Sequence, residues 1–236
     1  MSDSKYCILF KTADELDSGK DPYVEKFEKA EIKCKVISVL KFEFMNLGEL
    51  KAKLSKCDDY SGIVLLSPRC VKAVKLSAAD MSLWKKHRIF VVGEKTAKLV
   101  ESELDLESEG SSSGNAKALA NFILQQSISK PLLVPSGNLS RDSFYTILSE
   151  AGVKLDQIVV YKTVADQSAE SHIKEVFDNH NVNYIMYFSP SAVDITFPIF
   201  NKLGIELNHI KVTIISFLII TVKPIYRLLS GRPQSP

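Results

Sequence analysis

The sequence of 236 residues has no strong excess of either charge and no clustered cysteines, and each absence excludes a class of protein. Thirty Lys and Arg stand against 28 Asp and Glu, which leaves a formal charge of +2. So small an imbalance argues against nucleic acid and anionic membranes as partners. Its four cysteines, Cys7, Cys34, Cys57 and Cys70, form neither a CxxC pair nor a zinc-ligand cluster. They are expected to be reduced thiols of a cytosolic protein.

Motifs for nucleotide binding and covalent catalysis are also absent. The sequence contains no GxGxxG dinucleotide fingerprint, no GxxxxGK[ST] phosphate loop and no GxSxG nucleophile elbow. Its four histidines, His87, His172, His180 and His209, are scattered, and none shares a helical face with a second metal ligand at suitable spacing. We therefore expect no metal site and no covalent catalysis.

Long apolar segments are missing as well. The N-terminal residues before Lys11 contain no apolar core of signal-peptide length, and the segment lacks the Arg-rich character of a transit peptide. Residues 212–222 form an uncharged run of eleven residues, whereas a membrane helix needs roughly 17 to 25. A buried strand or a short core helix is the better interpretation, and neither export nor membrane association is expected.

Short apolar runs alternate with longer segments of helical periodicity along most of the chain. This alternation predicts an α/β fold in which crossover helices connect parallel strands. Strands are predicted at 6–10, 34–39, 62–66, 89–92, 131–134, 157–163, 184–188 and from 211 onward. Helices are predicted at 21–29, 68–76, 96–103, 116–126, 141–150 and 168–179. In the helix at 116–126, Leu119, Phe122 and Ile123 share one face.

Two segments resemble each other within the chain. Residues 60–74 (YSGIVLLSPRCVKAV) and 182–196 (VNYIMYFSPSAVDIT) each read as a strand, then Ser-Pro, then a helix. Two duplicated Rossmann-like or flavodoxin-like halves would produce this repetition. Any strand-to-helix turn also favours Ser as N-cap and Pro at the first helical position, so both explanations stay open.

The turns after the strands are the predicted binding positions. In an open α/β sheet, ligands bind beyond the carboxyl ends of the strands, where helix N-termini present unpaired backbone N–H groups. Such turns suit a ligand with several carboxylates or phosphates, and the alternative for each is a helix cap without a ligand. The candidate substrate-binding residues are Lys11, Ser67, Arg69, Gly93, Thr96, Ser136, Gly137, Asn138, Arg141, Ser189 and Ser191, with Lys95 as a further charged partner.

Tyr161 is the candidate catalytic residue. It ends the apolar run IVVY directly before Lys162 and Thr163, where the chain is predicted to pass from one domain to the other. A phenol can donate a proton to a leaving hydroxyl group and remain neutral at physiological pH. The alternative is a half-buried tyrosine that packs at the end of a strand.

Eight ordered segments, each of low specificity alone, characterise the chain between residues 5 and 212. They are LFKTADELDSGKDPYVEKF, VISVLKFEF, DDYSGIVLLSPRCVKAV, FVVGEKTAKLV, GNAKALANFI, PLLVPSGNLSRDSF, AGVKLDQIVVYKTVAD and YIMYFSPSAV. In sequence and in order, these segments resemble those of animal uroporphyrinogen-III synthases.

The resemblance implies two flavodoxin-like or Rossmann-like parallel-sheet domains joined by a two-stranded linker, with the second domain inserted in the first. Domain 1 would combine residues 1–39 with 165–236, and domain 2 would span 41–163. The segments VISVLKF and IVVYKTV would be the crossings and would pair as a ladder.

The resemblance also implies the activity. The family closes the linear tetrapyrrole hydroxymethylbilane to uroporphyrinogen III, with loss of water and inversion of ring D through a spiro intermediate. It uses neither a metal nor an organic cofactor. Tyr161 matches the tyrosine proposed to assist the leaving hydroxyl, and Ser67, Thr96 and Ser189 match residues that line the cleft between the domains. A cytosolic monomer is expected.

After Val212 the sequence departs from the family. The family continues with a turn of the type Gly-x-Thr-x-Ala, a helix, another strand and a helix led by Pro-Thr-Pro, whereas this chain reads TIISFLIITVKPIYRLLSGRPQSP. Domain 1 is therefore expected to lack its closing elements, through splicing, a gene-model error or divergence. An inactive truncated synthase or a small-anion-binding module with two lobes is the alternative function.

Overall fold

The computed structural model describes residues 5–11, 21–139, 142–216 and 219–221. The strands are β1 (Tyr6–Phe10), β2 (Lys33–Ile37), β3 (Leu40–Phe44), β4 (Gly62–Leu65), β5 (Arg88–Val91), β6 (Leu132–Gly137), β7 (Leu155–Ala165), β8 (Val182–Tyr187), β9 (Lys211–Ser216) and β10 (Ile219–Thr221). The helices are α1 (Pro22–Lys29), α2 (Leu47–Leu54), α3 (Pro68–Leu76), α4 (Glu94–Leu104), α5 (Ala116–Leu124), α6 (Asp142–Glu150), α7 (Ala169–Asn179) and α8 (Pro190–Leu203). Short 3₁₀-helices lie at Cys57–Asp59, Met81–Lys86 and Ser111–Ser113.

The chain divides into two compact units. Unit 1 comprises Met1–Lys41 and Val164–Pro236, and unit 2 comprises Phe42–Thr163. Unit 2 is a continuous segment that interrupts the sequence of unit 1. The two boundaries fall inside β3 and β7, so the chain passes between the units in extended conformation.

Unit 1 is built on a sheet with the strand order β10-β9-β8-β1-β2. β1 runs parallel to β2 and β8, and β8 runs parallel to β9, whereas β10 is antiparallel to β9. Phe10 at the end of β1 is in register with Tyr187 at the end of β8. Because parallel strands end at the same edge of a sheet, the residues that follow these two strands start from neighbouring positions.

Unit 2 is built on a sheet with the order β3-β7-β6-β4-β5. β4 runs parallel to β5 and β6, and β6 runs parallel to β7. The carboxyl ends of these four strands therefore share one edge, which we call the carboxyl edge of unit 2. Their amino ends share the opposite edge.

The strands of unit 2 are apolar on both faces because helices cover both. Successive residues of a strand point to opposite faces. Ile63 and Leu65 of β4 accordingly pack with α2, α3 and α4, whereas Val64 packs with α5 and α6. The predicted apolar face of α5 is confirmed, since Leu119 and Ile123 are fully buried against this second layer. The short uninterrupted apolar runs in the sequence follow from this two-sided burial.

Capping residues set the beginnings of several helices. Ser67 caps α3 and Ser189 caps α8, each with its hydroxyl accepting the backbone N–H three residues later and with Pro at the first helical position. Asn115 caps α5 in the same way, and Asp21 caps α1. The two Ser-Pro repeats seen in the sequence are thus strand-to-helix turns with the same cap chemistry.

The predicted α/β class is confirmed, whereas several predicted element bounds are wrong. The strand predicted at 131–134 continues through Gly137 as β6. The strand predicted at 34–39 ends at Ile37, and β3 begins at Leu40 as a separate strand. Helix α2 was not predicted; its sequence LGELKAKL has an apolar stripe at Leu50 and Leu54 that is only one helical turn long.

The uncharged run at 212–222 contributes to β9 and β10, in agreement with the strand interpretation. The predicted departure from the family after Val212 falls on these strands and on residues 217–218 and 222–236, which lie outside the described part of the chain. Among the residues that the structure describes, no helix is both long enough and apolar enough to cross a membrane.

A polar network links α2 to β7 within unit 2. Lys53 donates to both carboxylate oxygens of Asp156 at 2.9 Å, and the Tyr60 hydroxyl donates to Asp156 Oδ2 at 2.6 Å. Burial alone would raise the pKa of Asp156, but the hydrogen bonds from Lys53 and Tyr60 outweigh it and lower this pKa. A carboxylate whose pKa is lower in the folded state stabilises the fold above its unfolded pKa, and this contribution is lost as the pH falls through the folded value.

Asp156→Asn is therefore expected to lower the urea concentration at the midpoint of unfolding at pH 7. The difference from the original chain should shrink as the pH falls below about 4. The single tryptophan, Trp84, is fully buried in unit 2, so its fluorescence reports the unfolding of that unit. Glu43→Gln, in a more exposed pair with Lys162 of the same unit, is the control. An equal effect of Asp156→Asn at pH 7 and pH 3 would show that the charge of Asp156 does not stabilise unit 2.

Candidate functional site

Tyr161 is placed by an irregularity in β7. Ser136 of β6 is in register with Val159, but the next residue, Gly137, is in register with Tyr161. One additional residue, Val160, is therefore accommodated in β7, and such bulges change the direction of a side chain. Two hydrogen bonds from the segment after β3 hold this region: Met45 N–H donates to Val160 O at 2.9 Å, and Asn46 Nδ2 donates to Val159 O at 2.9 Å.

Gly137 makes room for the Tyr161 ring. A Cβ atom at position 137 would lie 2.5 Å from Tyr161 Cζ, 2.6 Å from Cε2 and 2.8 Å from the hydroxyl oxygen. These separations are shorter than any van der Waals contact, so a side chain at 137 is incompatible with the present position of the ring. The sequence predicted that Gly137 allows an anion to approach the backbone; the structure instead places Tyr161 there.

Hydrogen-bonding groups connect the Tyr161 hydroxyl to β6 through Ser67 and Cys70. The Cys70 thiol donates to Pro135 O at 3.1 Å, and its sulfur lies 3.3 Å from Ser67 Oγ. Ser67 Oγ lies in turn 3.4 Å from the Tyr161 hydroxyl oxygen. Because the only S–H of Cys70 is directed to Pro135, Cys70 can only accept from Ser67. The Ser67 oxygen is then available to accept from Tyr161.

Aromatic rings and one cation surround these hydroxyl groups. Phe42 and Phe44 contact the Tyr161 ring edge to face, with centroids 6.0 and 6.5 Å away. The Arg69 guanidinium lies over the Phe42 ring at 3.6 Å from its centroid, a cation–π arrangement. The Tyr161 hydroxyl therefore lies in a partly apolar environment beside a fixed positive charge.

Both acidic groups of this cluster are held in their neutral forms. Burial raises the pKa of Tyr161, and Cys70 adds to the rise, while Ser67 and Arg69 reduce it without cancelling it. Burial also raises the pKa of the fully enclosed Cys70 thiol. A protonated phenol is a proton donor, whereas a buried protonated thiol is not a nucleophile.

The other candidates of unit 2 are divided between the carboxyl edge and the interior. Ser136 is 1% exposed and accepts from Gln157 Nε2 at 3.0 Å, so its predicted place in an open turn is wrong. Thr96 lies in the first turn of α4, and it is buried, with only 2% of its surface exposed. Gly93 precedes this helix with φ +78°, a conformation that favours glycine. Asn138 is exposed, and its side chain accepts from Thr163 N–H at 3.1 Å.

The remaining charged candidates of unit 2 are Lys95 and Arg141. Lys95 is exposed on the first turn of α4. Arg141 lies outside the described residues. Ser67, Arg69, Gly137 and Tyr161 are thus the predicted residues that the structure brings together.

In unit 1, Lys11 follows β1 and is engaged by neighbouring groups. Its ammonium donates to Asp21 Oδ2 at 2.5 Å and lies 5.5 and 5.6 Å from the ring centroids of Tyr23 and Phe188. Burial would raise the pKa of Asp21, but hydrogen bonds from Lys11 and the Tyr23 N–H lower it on balance. Lys11 is 32% exposed, so its charge is partly accessible and partly neutralised.

Ser189 and Ser191 lie on the first turn of α8, directly after β8. Ser189 Oγ caps the helix by accepting from Ala192 N–H at 3.3 Å, and it lies 3.1 Å from Ser191 Oγ. Ser191 is exposed. Together with Lys11, these hydroxyl groups form a second set of predicted residues, at the carboxyl edge of the unit 1 sheet.

Ser67 serves as both a helix cap and a neighbour of Tyr161, and the two roles can be separated. Ser67→Ala and Asn115→Ala each remove a side-chain cap and are each expected to cost about 1 kcal/mol of stability. Only Ser67→Ala removes a group beside the Tyr161 hydroxyl. The rate at which hydroxymethylbilane, the substrate implied by the family resemblance, is converted is therefore expected to fall for Ser67→Ala and to be unchanged for Asn115→Ala. Equal turnover of the two variants would show that Ser67 is a cap alone.

Sequence reasoning missed Phe42, Phe44, Asn46 and Cys70. Phe42 and Phe44 had a usable signal, because residues two apart in a strand share a face, and LKFEF places both rings on one side. Asn46 and Cys70 had none, since their contacts with β7 and β6 depend on tertiary packing.

The fold and the cluster define an α/β protein with mostly parallel sheets that presents a neutral phenol, a serine hydroxyl and an arginine at a sheet edge. A sequence model of the family described as uroporphyrinogen-III synthase HemD matches residues 21–218. A uroporphyrinogen-III synthase of Schizosaccharomyces pombe is 26% identical over 201 residues, covering 80% of this chain and 78% of the relative. The chain belongs to the uroporphyrinogen-III synthase family.

Solved structures agree in fold. The uroporphyrinogen III synthase of Thermus thermophilus, as a triple mutant, matches with a TM-score of 0.56 at 15% identity and covers 90% of this chain and 84% of its own. The uroporphyrinogen-III synthetase of Helicobacter pylori matches with a TM-score of 0.56 at 15% identity, covering 90% and 83%. At these identities the likeness concerns the fold alone.

Proposed function

We propose that this chain catalyses the cyclisation of hydroxymethylbilane to uroporphyrinogen III, with loss of water and inversion of ring D. The proposal rests on one observation in a member of this family: the protonated Tyr161 hydroxyl lies beside Ser67 and Arg69 at the carboxyl edge of unit 2. A cyclising lyase of this type needs a proton donor for a leaving hydroxyl and positive charge for carboxylates. This cluster offers both.

Tyr161 assists departure of the hydroxyl group. The carbon–oxygen bond of the hydroxymethyl group breaks with its electron pair on oxygen, and a proton from Tyr161 completes the water molecule. The pyrrole next to that carbon supplies electrons and becomes an azafulvene cation. Ser67 can then stabilise the transient phenolate by reversing its hydrogen bond. The proton returns to Tyr161 when the ring that has been attacked loses its own proton at the end of the reaction.

The substrate carries acetate and propionate side chains, and these are the groups that the strand-end residues would bind. In unit 2, Arg69 supplies a charge and the turn at Gly93 supplies backbone N–H groups at the start of α4. In unit 1, Lys11 and the first turn of α8 with Ser189 and Ser191 supply the same chemistry. Charge-assisted hydrogen bonds to carboxylates are about twice as strong as neutral ones.

Most of the acceleration is assigned to conformation rather than to strong acid or base chemistry. Holding the two ends of a flexible chain in reactive geometry lowers the entropic part of the activation barrier. In well-oriented intramolecular reactions this lowering amounts to roughly 7 to 11 kcal/mol. A neutral phenol then contributes the remaining assistance. The cytosolic location and the monomeric state stay predictions from the sequence.

The identity of the product tests the proposal. Purified protein is incubated with freshly prepared hydroxymethylbilane, and after oxidation the porphyrin isomers are separated by chromatography. We expect isomer III in proportion to the enzyme concentration. Isomer I alone, formed at the rate seen without protein, would refute the activity for this chain.

A further inference from the structure

Three side chains with metal-binding chemistry meet at the amino edge of unit 2. Cys57 and Asp58 belong to the 3₁₀-helix Cys57–Asp59, and His87 directly precedes β5. The Cys57 sulfur, an Asp58 carboxylate oxygen and a His87 ring nitrogen all lie within 4.8 Å of one another. His87 Nε2 and Asp58 Oδ1 are 3.5 Å apart. The sequence predicted no metal site because these ligands belong to separate segments.

Trp84 fixes the segments that carry these ligands. Its indole N–H donates to Leu54 O at 2.9 Å, which holds the 3₁₀-helix Met81–Lys86 against the end of α2. Its ring stacks near Tyr60 at 6.3 Å and lies 5.5 Å from the His87 ring. The His87 backbone N–H also donates to Trp84 O at 3.0 Å. The ligand-bearing backbone is therefore set in place before any ion binds.

The spacing suits a small ion after a modest contraction. Tetrahedral zinc with bonds of about 2.0 to 2.3 Å places neighbouring donor atoms about 3.3 to 3.8 Å apart. The His87–Asp58 separation already falls in this range. Because the Asp58 side chain is 94% exposed, its carboxylate can rotate toward Cys57. The separation of the Cys57 sulfur from the His87 nitrogen, at most 4.8 Å, has to shorten by rotation of those two side chains. Cys57 is 8% exposed, so it approaches from the protein side.

The donor set selects the kind of ion. A thiolate and an imidazole favour zinc over magnesium or calcium, and the carboxylate is compatible with zinc. On binding, Cys57 loses its proton, so the thiolate and the Asp58 carboxylate together balance a dication. Lys130 Nζ donates to the backbone oxygen of Asp58 at 2.5 Å, not to its carboxylate, so the carboxylate oxygens are not taken by this lysine.

We infer that Cys57, Asp58 and His87 form a zinc-binding site with three protein ligands at the amino edge of unit 2. β4 and β5 begin beside this site, whereas Ser67 and Tyr161 lie at the carboxyl edge. The ion therefore takes no part in the chemistry proposed for Tyr161. It ties the turn after α2 to the turn before β5 and stabilises the folded form of unit 2.

Cobalt(II) is the probe for this site, since it adopts tetrahedral zinc sites and is coloured. Metal-free protein is titrated with Co²⁺, and the absorbance and the Trp84 fluorescence are recorded together. We expect one equivalent to bind, with a thiolate-to-cobalt charge-transfer band, tetrahedral visible bands and quenching of Trp84. Zn²⁺ should displace the cobalt and raise the thermal midpoint of unit 2, whereas Mg²⁺ should do neither.

Matched variants decide which ligands are used. Asp58→Asn changes an exposed group and is expected to weaken Co²⁺ binding at least tenfold, whereas the adjacent Asp59→Asn leaves it unchanged. Cys57→Ser should remove the charge-transfer band, and Cys34→Ser in unit 1 should retain it. Should Cys57→Ser fail to fold, the Asp58 and Asp59 pair decides alone. The site is refuted if Co²⁺ shows no saturable binding, binds without a thiolate band, or binds equally to Asp58→Asn.

Discussion

Replacing Tyr161 by Phe is expected to lower kcat for hydroxymethylbilane by about 100-fold or more, the usual contribution of a positioned proton donor. The ring that packs on Gly137, Phe42 and Phe44 is kept, and only the hydroxyl beside Ser67 is lost. KM should change little, because a leaving hydroxyl needs the proton in the transition state and not in the bound substrate. Steady-state rates of isomer III formation measure both constants.

Tyr60→Phe is the matched control. It removes another hydroxyl group of unit 2, the one that donates to Asp156 at 2.6 Å, and is expected to lower stability without lowering kcat. If Tyr161→Phe retained the full kcat, the phenol would have no part in the departure of the hydroxyl group. Tyr161 would then be a packing residue at the end of its strand.

Gly137→Ala is expected to reduce kcat as strongly as Tyr161→Phe does, although residue 137 offers no side chain to a ligand. The added Cβ would lie 2.5 Å from Tyr161 Cζ, so either the ring or β6 must move. Crowding of this kind costs about 1 to 3 kcal/mol of stability. Loss of the Tyr161 position should reduce kcat by about the same factor as loss of its hydroxyl. Activity and the urea midpoint, followed by Trp84 fluorescence, measure the two effects.

Two controls isolate the contact between residues 137 and 161. Gly48→Ala places a methyl group where no atom lies within 4 Å, in α2, and should be neutral or slightly stabilising. In a Tyr161→Ala background the ring is absent, so the stability cost of Gly137→Ala should largely disappear. An undiminished cost in that background would assign the strain to the backbone and not to the ring.

The sequence was sufficient for much of the fold because the strands are covered on both faces. Runs such as YCILF and GIVL are apolar throughout, so they are easily distinguished from the more polar segments around them. Ser67 and Ser189 were recognised as helix N-caps because capping depends on residues that are close in the sequence. Tyr161 was identified from its place at the end of an apolar run.

What the sequence did not reveal depends on register and on distant packing. The shift that aligns Gly137 with Tyr161 is a property of the β6–β7 pair, and neither strand alone contains it. Ser136 was expected in an open turn, but β6 continues past Pro135, a residue that usually interrupts strands, and includes Ser136. The meeting of Cys57, Asp58 and His87 required the fold itself.

The proposed activity requires the tetrapyrrole to contact Tyr161 at the carboxyl edge of unit 2. Protein labelled with ¹³C at Cζ of its eight tyrosines would be titrated with an unreactive bilane that lacks the hydroxyl group, and Tyr161→Phe would identify the resonance. We expect a saturable shift of the Tyr161 signal, whereas the signal of Tyr6, whose ring is stacked on His180, should stay unchanged. Saturable binding that leaves the Tyr161 signal in place would contradict the proposed activity.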